Sequence, residues 1–187
     1  MKKPLILFDN IKCYSFNSEK EVIKILEILF KKNHGFYSVA INAEKLIRCD
    51  SDKNFKKIIQ DSLLPIPDGF GSVFLIFKKY KIKTIKIDLP NIALEFSDIN
   101  KLKVGIIGSN EINNFNASKK IKSRYKNIKL NFRVNGYEDK DYIIKKIKAS
   151  NIDILFLGLG SPNQEIFSSE LLKLIPNLKI INCGGAL

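Results

Sequence analysis

Two segments decide the fold: Lys103-Val104-Gly105-Ile106-Ile107-Gly108-Ser109-Asn110 and Ile154-Leu155-Phe156-Leu157-Gly158-Leu159-Gly160-Ser161-Pro162-Asn163-Gln164-Glu165. Each is a short apolar strand that runs straight into glycine and then into a helix. The rhythm repeats around them. Strands are predicted at 103–107, 130–134, 154–159 and 179–182, and helices at 112–125, 142–149 and 165–174. Strict alternation with apolar strands predicts an α/β protein with a parallel, Rossmann-like sheet and helices on both faces. Ligands of such sheets sit outside the carboxyl ends of the strands, which selects the loops worth reading.

The first half reads as a smaller N-terminal α/β part. Strands are predicted at 5–8 and 11–15 around the turn Asp9-Asn10. Ser18-Glu19-Lys20-Glu21 reads as a capping box, followed by Val22, Ile25, Leu26 and Leu29 at helical spacing. A strand at 36–41 leads to Asn42 and a helical stretch. A second helix follows at 53–61, an apolar run at 63–66 and a helix at 70–80. Asp88-Leu89-Pro90 opens another helix with proline in its first turn. The chain is expected to be one domain, with an N-terminal half (1–100) and a nucleotide-binding half (101–187).

Composition excludes several classes. Hydrophobic residues are 45% and charged residues 27% of the 187, a globular balance. No apolar run approaches the roughly 18–20 residues needed to cross a bilayer. The apolar run at 5–8 is too short for a signal-peptide core. Cys13, Cys49 and Cys183 are far apart and His34 is the only histidine, so a zinc site or disulfide framework is not expected. His34 itself reads as part of a helix C-terminal turn. The net charge is +13. Only Arg48, Arg124 and Arg133 are arginines, and the lysines fall on nearly every helix, as on solvated faces. This argues against a nucleic-acid footprint. It leaves open an acidic partner, either nucleotide phosphates or an anionic membrane surface.

Glycine ends three strands: at Gly108, at Gly158 to Gly160, and at Gly184-Gly185 after Cys183. Each alone is explained by a turn. Three at one edge of one sheet point to a nucleotide-type ligand, because glycine lets backbone approach a diphosphate closely. Neither a G-x-G-x-x-G nor a P-loop lysine motif is present. Pro67-Asp68-Gly69-Phe70-Gly71 is ordinary turn chemistry with a capping Asp, or else a carboxylate placed to act as a general base. Asp50-Ser51-Asp52 and Asp139-Lys140-Asp141 match the D-x-D pattern of metal-dependent sugar transferases. Both precede helices and read as caps, so no metal is expected. Lys78, Lys79, Lys81, Lys83 and Lys86 follow a helix carrying Phe70, Phe74 and Phe77. The bland reading is a core face with solvated lysines; the sharper one is a surface facing phosphates or lipid headgroups.

Several motifs stand in one order: Ile41-Asn42-Ala43-Glu44, Pro67 to Gly71, Asp88-Leu89, Gly136-Tyr137, Gly158 to Glu165, and Cys183-Gly184-Gly185-Ala186-Leu187. The series resembles the WecG/TagA/CpsF glycosyltransferases, glycosyltransferase family 26. The resemblance implies an inverting, metal-independent transferase, cytoplasmic and peripheral to the inner face of the bacterial membrane. It implies transfer of N-acetylmannosamine or its uronic acid from a UDP-sugar to a polyprenyl-diphosphate-linked acceptor. The products would feed teichoic acid, common antigen or capsule. Asp68 matches the proposed general base, Gln164 a substrate-contacting glutamine, and Asn42 a pocket-lining motif. The implied substrate set adds Gly69, Gly71, Lys83, Asp88, Gly108, Gly136, Tyr137, Gly158, Gly160, Pro162, Glu165, Gly184 and Gly185. No cofactor is implied beyond the UDP-sugar donor, and self-association stays open.

The chain departs from the family in places. The usual Arg-x-x-Gly-x-Asp is Lys83-Thr84-Ile85-Lys86-Ile87-Asp88 here. Lys83 supplies charge without a bidentate fork, and Lys86 in place of glycine means a different loop. Ala40 stands where a threonine is common. In the family an aspartate and an often basic segment follow Gly-Gly-Ala-Leu, closing the site and meeting the membrane. The expectation for this chain is weak donor binding and poor turnover. The alternative reading is a catalytically weak or inactive UDP-binding α/β module.

Overall fold

The computed structural model describes residues 3–185. The first half forms β1 (Leu5–Phe8), β2 (Ile11–Cys13), α1 (Glu19–Lys31) and β3 (Phe36–Ile41). It continues with α2 (Ala43–Ser51), α3 (Lys53–Asp61), β4 (Leu64–Pro67), α4 (Gly69–Tyr80) and α5 (Leu89–Ile99). The second half alternates strictly: β5 (Lys103–Gly108), α6 (Glu111–Arg124), β6 (Lys129–Val134), α7 (Lys140–Ala149), β7 (Ile154–Gly158), α8 (Asn163–Leu174) and β8 (Lys179–Asn182).

Six strands form one parallel sheet in the order β4-β3-β8-β7-β5-β6. This is the Rossmann-like α/β architecture that the alternation predicts. β1 and β2 stand apart as an antiparallel hairpin. Its turn residues Asp9 and Asn10 have φ of 40° and 62°, the left-handed pair that a tight hairpin demands. Helices cover both faces. On one, Val22, Leu26, Ile92, Phe96 and Ile121 of α1, α5 and α6 pack on Val104, Ile106, Phe156 and Ile181. On the other, residues of α2, α3, α4, α7, α8 and the hairpin pack on Val39, Ile107, Leu155, Leu157 and Ile180.

Local caps set the helix starts. Asn110, Asp52 and Asp139 each accept backbone N–H bonds in the next first turn, at 2.9 Å from Asn113, 2.8 Å from Phe55, and 2.9 and 3.2 Å from Asp141 and Tyr142. Asp52 and Asp139 of the two D-x-D pairs thus serve as helix starts, while Asp50 lies in the last turn of α2. The Asn110 and Asp139 caps place α6 and α7 one and two residues earlier than the apolar periodicity predicts, and α8, which no side chain caps, also starts two residues earlier. Periodicity registers the first buried side chain, whereas the cap registers the first turn of backbone. At α1 the capping box is incomplete. The Ser18 side chain makes no cap bond, and a Glu21 carboxylate oxygen accepts from the Asn17 N–H at 3.3 Å.

One expectation is corrected. α4 does not turn its phenylalanines inward. Its buried residues are Ser72 and Ile76, while Phe70, Phe74 and Phe77 are 82%, 49% and 47% exposed. Helical spacing fixes that the three share a face, not which way that face points.

The two halves meet at a polar seam. The β3–β8 ladder covers only Phe36↔Lys179 and Tyr37↔Ile180. Beyond it, side chains take over. Asn182 donates from its backbone N–H to Ser38 Oγ at 2.9 Å and from Nδ2 to the Ser38 carbonyl at 2.8 Å, and Ser168 donates to Asn182 Oδ1 at 2.9 Å.

Candidate active site

Because all six strands run parallel, their carboxyl ends form a single rim. In sheet order it carries Asp68 after β4, Asn42 after β3, Gly184 after β8, Gly158 and Gly160 at β7, Gly108 at the end of β5, and Gly136-Tyr137 after β6. β5 is the switch point, since the chain leaves it toward β6 on one side and returns to β7 on the other.

At that switch the backbones touch. Gly108 pairs with Gly158. A Cβ on Gly108 would lie 2.5 Å from the Gly158 carbonyl oxygen, and its φ of +149° disfavours any side chain. A Cβ on Gly136 would lie 3.1 Å from the Gly108 Cα. These glycines let three strand ends close on one point and leave a cleft of about 780 Å³ above it. Gly136, Tyr137, Gly158, Gly160, Gly184 and Gly185 line the cleft, with Ser109, Asn113, Lys140, Asn163 and Phe167. Tyr137 is 84% exposed, so its ring stands free at the mouth. α8 starts on this cleft after the Pro162 turn, and no side chain caps it. Its dipole thus faces the opening, an arrangement suited to an anion, although the Gln164 N–H is already donated to the Gly160 carbonyl at 2.9 Å.

Gln164 and Glu165 lie beneath the cleft, not in it. They are 3% and 0% exposed. Gln164 Oε1 accepts from the Gly184 N–H at 2.9 Å, and its Nε2 donates to Glu165 Oε1 at 3.1 Å. The same Glu165 oxygen pairs with Lys45 Nζ at 3.5 Å, while Oε2 is buried with no hydrogen-bond partner. Lys45 is buried too, in the first turn of α2, where Asn42 Oδ1 accepts its backbone N–H at 3.0 Å. The chain Asn42–Lys45–Glu165–Gln164–Gly184 therefore ties the Asn42 segment to the last glycine loop. Sequence reading missed Lys45, Lys140, Asn113 and Phe167. Lys45 had a signal in hindsight, since it sits three residues after the cap Asn42, on the turn that faces the sheet.

Asp68 lies at the other end of the rim. It is the N-cap of α4, makes no side-chain cap bond and is half-buried. β3 and β8 stand between it and β7, so at about 4.8 Å per strand it is roughly 14 Å from the glycine switch. Gly69, with φ of +73°, and Gly71 follow it into α4. Asp88 caps α5, accepting from Asn91 Nδ2 at 2.7 Å, and lines a separate cleft of about 520 Å³ between α5 and α6. Lys83 lines an apolar groove beside α4 rather than the glycine cleft. His34 sits in the exposed loop before β3, on the opposite rim, with Nδ1 3.1 Å from the Gly35 carbonyl.

Two further titratable groups near the rim are perturbed by their surroundings. Cys183 is buried beside Gly184, and burial pushes its thiol up to about 12. Glu111, at the start of α6, is held below the usual carboxylate range, chiefly by its hydrogen bond from Arg133 at 2.5 Å. Among the described residues no group of three or more His, Cys, Asp or Glu is arranged to hold a metal ion. Ala186 and Leu187 lie outside the described residues.

A doubly wound parallel sheet with a glycine-lined cleft at its switch point places that cleft where α/β proteins of this class bind ligands. The chain matches the glycosyl transferase WecG/TagA/CpsF family over residues 8–187 and belongs to that family. It is 26% identical over 159 residues to the N-acetylglucosaminyldiphosphoundecaprenol N-acetyl-beta-D-mannosaminyltransferase of Bacillus spizizenii (strain ATCC 23059 / NRRL B-14472 / W23), covering 83% of this chain and 62% of that protein. It is 27% identical over 150 residues to the protein of the same name from Bacillus subtilis (strain 168), covering 78% and 59%. The chain thus spans about three fifths of the length of these curated relatives.

Proposed function

We propose that this chain forms the core of a transferase that moves an N-acetylmannosamine-type sugar from a UDP-sugar to a polyprenyl-diphosphate-linked acceptor. The supporting observation is the order of the rim, with a glycine cleft suited to a nucleotide diphosphate at one end and a lone carboxylate at the other. The donor is an extended molecule and needs such a row of loops. Its diphosphate meets backbone N–H groups of the glycine loops and the start of α8. Its sugar reaches toward Asn42 and Asp68. The names of the two relatives support the acceptor class and the sugar.

In this reading Asp68 takes the proton of the acceptor hydroxyl. The freed oxygen attacks the anomeric carbon from the face opposite the diphosphate, the bond to UDP breaks, and the configuration inverts. UDP leaves with the electron pair, stabilised by the cleft rather than by a metal. The protein works at the inner face of the membrane as a peripheral enzyme. Among its described residues no helix is long and apolar enough to cross a bilayer.

The test has two parts. Calorimetric titration with UDP, with ADP as control, is made at low and high salt. Selective, saturable UDP binding is expected at both, because pocket contacts outlast screening of surface lysines. Equal or absent binding of both nucleotides overturns the donor assignment. Asp68→Asn is then expected to leave UDP affinity within about threefold while cutting transfer by roughly 10²–10⁴. Transfer that survives the substitution makes Asp68 a turn residue only.

A further inference from the structure

Between Asp68 and Asp88 the chain holds five lysines and no acid. The same stretch carries the most exposed apolar surface of the first half. Phe70, Phe74 and Phe77 recur at i, i+4 and i+7 on one face of α4, and the Phe70 and Phe74 rings stack at 6.0 Å. Leu75 is 38% exposed, and after the helix Ile82 and Ile85 are 37% and 38% exposed. With Ile76 buried on the opposite side, α4 is apolar nearly all round, a pattern that water does not reward.

The segment after α4 is anchored. Thr84 Oγ1 accepts from the Phe16 N–H at 2.8 Å and donates to the Phe16 carbonyl at 3.1 Å, and the Ile85 N–H donates to that carbonyl at 2.8 Å. A groove of about 470 Å³ is thereby fixed between Val73 and Phe77 on one side and Lys83 to Ile85 on the other. Lys79 is used internally, donating to the Ile6 and Leu7 carbonyls at 3.0 and 3.1 Å. Lys78, Lys81, Lys83 and Lys86 are exposed and appear in none of the ion pairs among the described residues.

We infer that the α4 face, Phe70, Phe74 and Phe77 with the lysines that follow, is the surface by which this protein docks on an anionic lipid bilayer. An aromatic stripe flanked by unpaired lysines complements that surface. The rings enter the headgroup–acyl boundary and the ammonium groups meet lipid phosphates. A second copy of the same face would bring lysines against lysines. A soluble acidic partner would explain the charge but not three exposed phenylalanines. The inference deepens the reading above. Asp68 stands at the N-cap position of this very helix, so docking α4 holds the candidate base at headgroup level, where a lipid-linked diphosphate presents its sugar.

The experiment is flotation of the full chain with vesicles of phosphatidylcholine alone or mixed equally with phosphatidylglycerol, without nucleotide or acceptor. Binding is expected to the anionic vesicles only and to weaken as salt rises. The double variant Phe70→Ser/Phe74→Ser should lower vesicle affinity at least about tenfold. Lys78→Gln/Lys81→Gln should flatten the salt dependence. UDP titration of the same variants should match the parent chain, which shows that they fold and keeps this test separate from the donor assignment. Absence of anionic-vesicle binding overturns the inference. So does unchanged binding by the phenylalanine double variant, or light scattering that finds a dimer which this variant alone dissociates.

Discussion

Glu165 carries a full burden of burial at a single position. One carboxylate oxygen meets both Lys45 and Gln164, the other has no hydrogen-bond partner, and the residue is 0% exposed. Removing one member of a buried ion pair strands the other charge, whereas replacing both by apolar groups of similar size does not. Lys45→Met and Glu165→Leu should each lower stability by about 3–5 kcal/mol, and the double variant Lys45→Met/Glu165→Leu by clearly less than their sum. Urea midpoints of the four proteins check this. Strict additivity would mean that the pair is not coupled. Much of this residue-level chemistry was hidden in the sequence. The Asn42 and Gln164-Glu165 motifs are visible as a family pattern, but their partners are not. Lys45 looks like any of the chain's many lysines until the sheet brings α8 beneath α2. Gln164 reads as a substrate contact, yet in the structure both ends of its amide are already engaged. Its influence on the cleft passes through the Gly184 loop.

The element that most shapes the cleft is the β5–β7 pair. Its glycines differ in kind. A Cβ on Gly108 meets the backbone of Gly158 at 2.5 Å, and backbone has nowhere to move, whereas a Cβ on Gly160 meets nothing within 4 Å. Gly108→Ala should therefore cost about 2–5 kcal/mol and weaken UDP binding, since it forces the strand ends apart. Gly160→Ala should cost only roughly 1–2 kcal/mol, the strain of its left-handed backbone at φ +71°. Thermal unfolding of the two variants ranks them, and equal losses would refute the close-approach argument. At this scale the sequence was most readable where apolar strands alternate with helices, because a two-sided parallel sheet leaves an uninterrupted apolar run. It was least readable at α4. Three phenylalanines at helical spacing look like a core stripe, and only the packing of Ser72 and Ile76 against the protein reveals that they point outward.

At the scale of the molecule, the two halves have distinct rhythms in the sequence but share their cores. One face combines Leu26 and Phe96 of the first half with Val104, Phe156 and Ile181 of the second, and the other combines Val39 and Phe55 with Leu155 and Ile180. The seam between β3 and β8 adds Ser38, Ser168 and Asn182, whose hydrogen bonds are met only when both halves are present. Deleting residues 1–100 would turn β8 into an edge strand and bare Ile180 and Ile181, both 0% exposed in the whole chain. It would also leave Asn182 without its Ser38 partners, a buried polar loss of about 1–3 kcal/mol for each group stranded. Residues 101–187 alone should therefore show no cooperative urea transition. The whole chain should unfold in one step, with coincident midpoints by far-ultraviolet circular dichroism and by the fluorescence of its six tyrosines, the chain having no tryptophan. A fragment that melts sharply by itself, or two separated midpoints in the whole chain, would make the halves independent domains. The rim from Asp68 to Tyr137 would then be assembled from two bodies free to move. A single transition makes it one rigid row, which a transferase needs if its base is to meet a sugar held some three strands away.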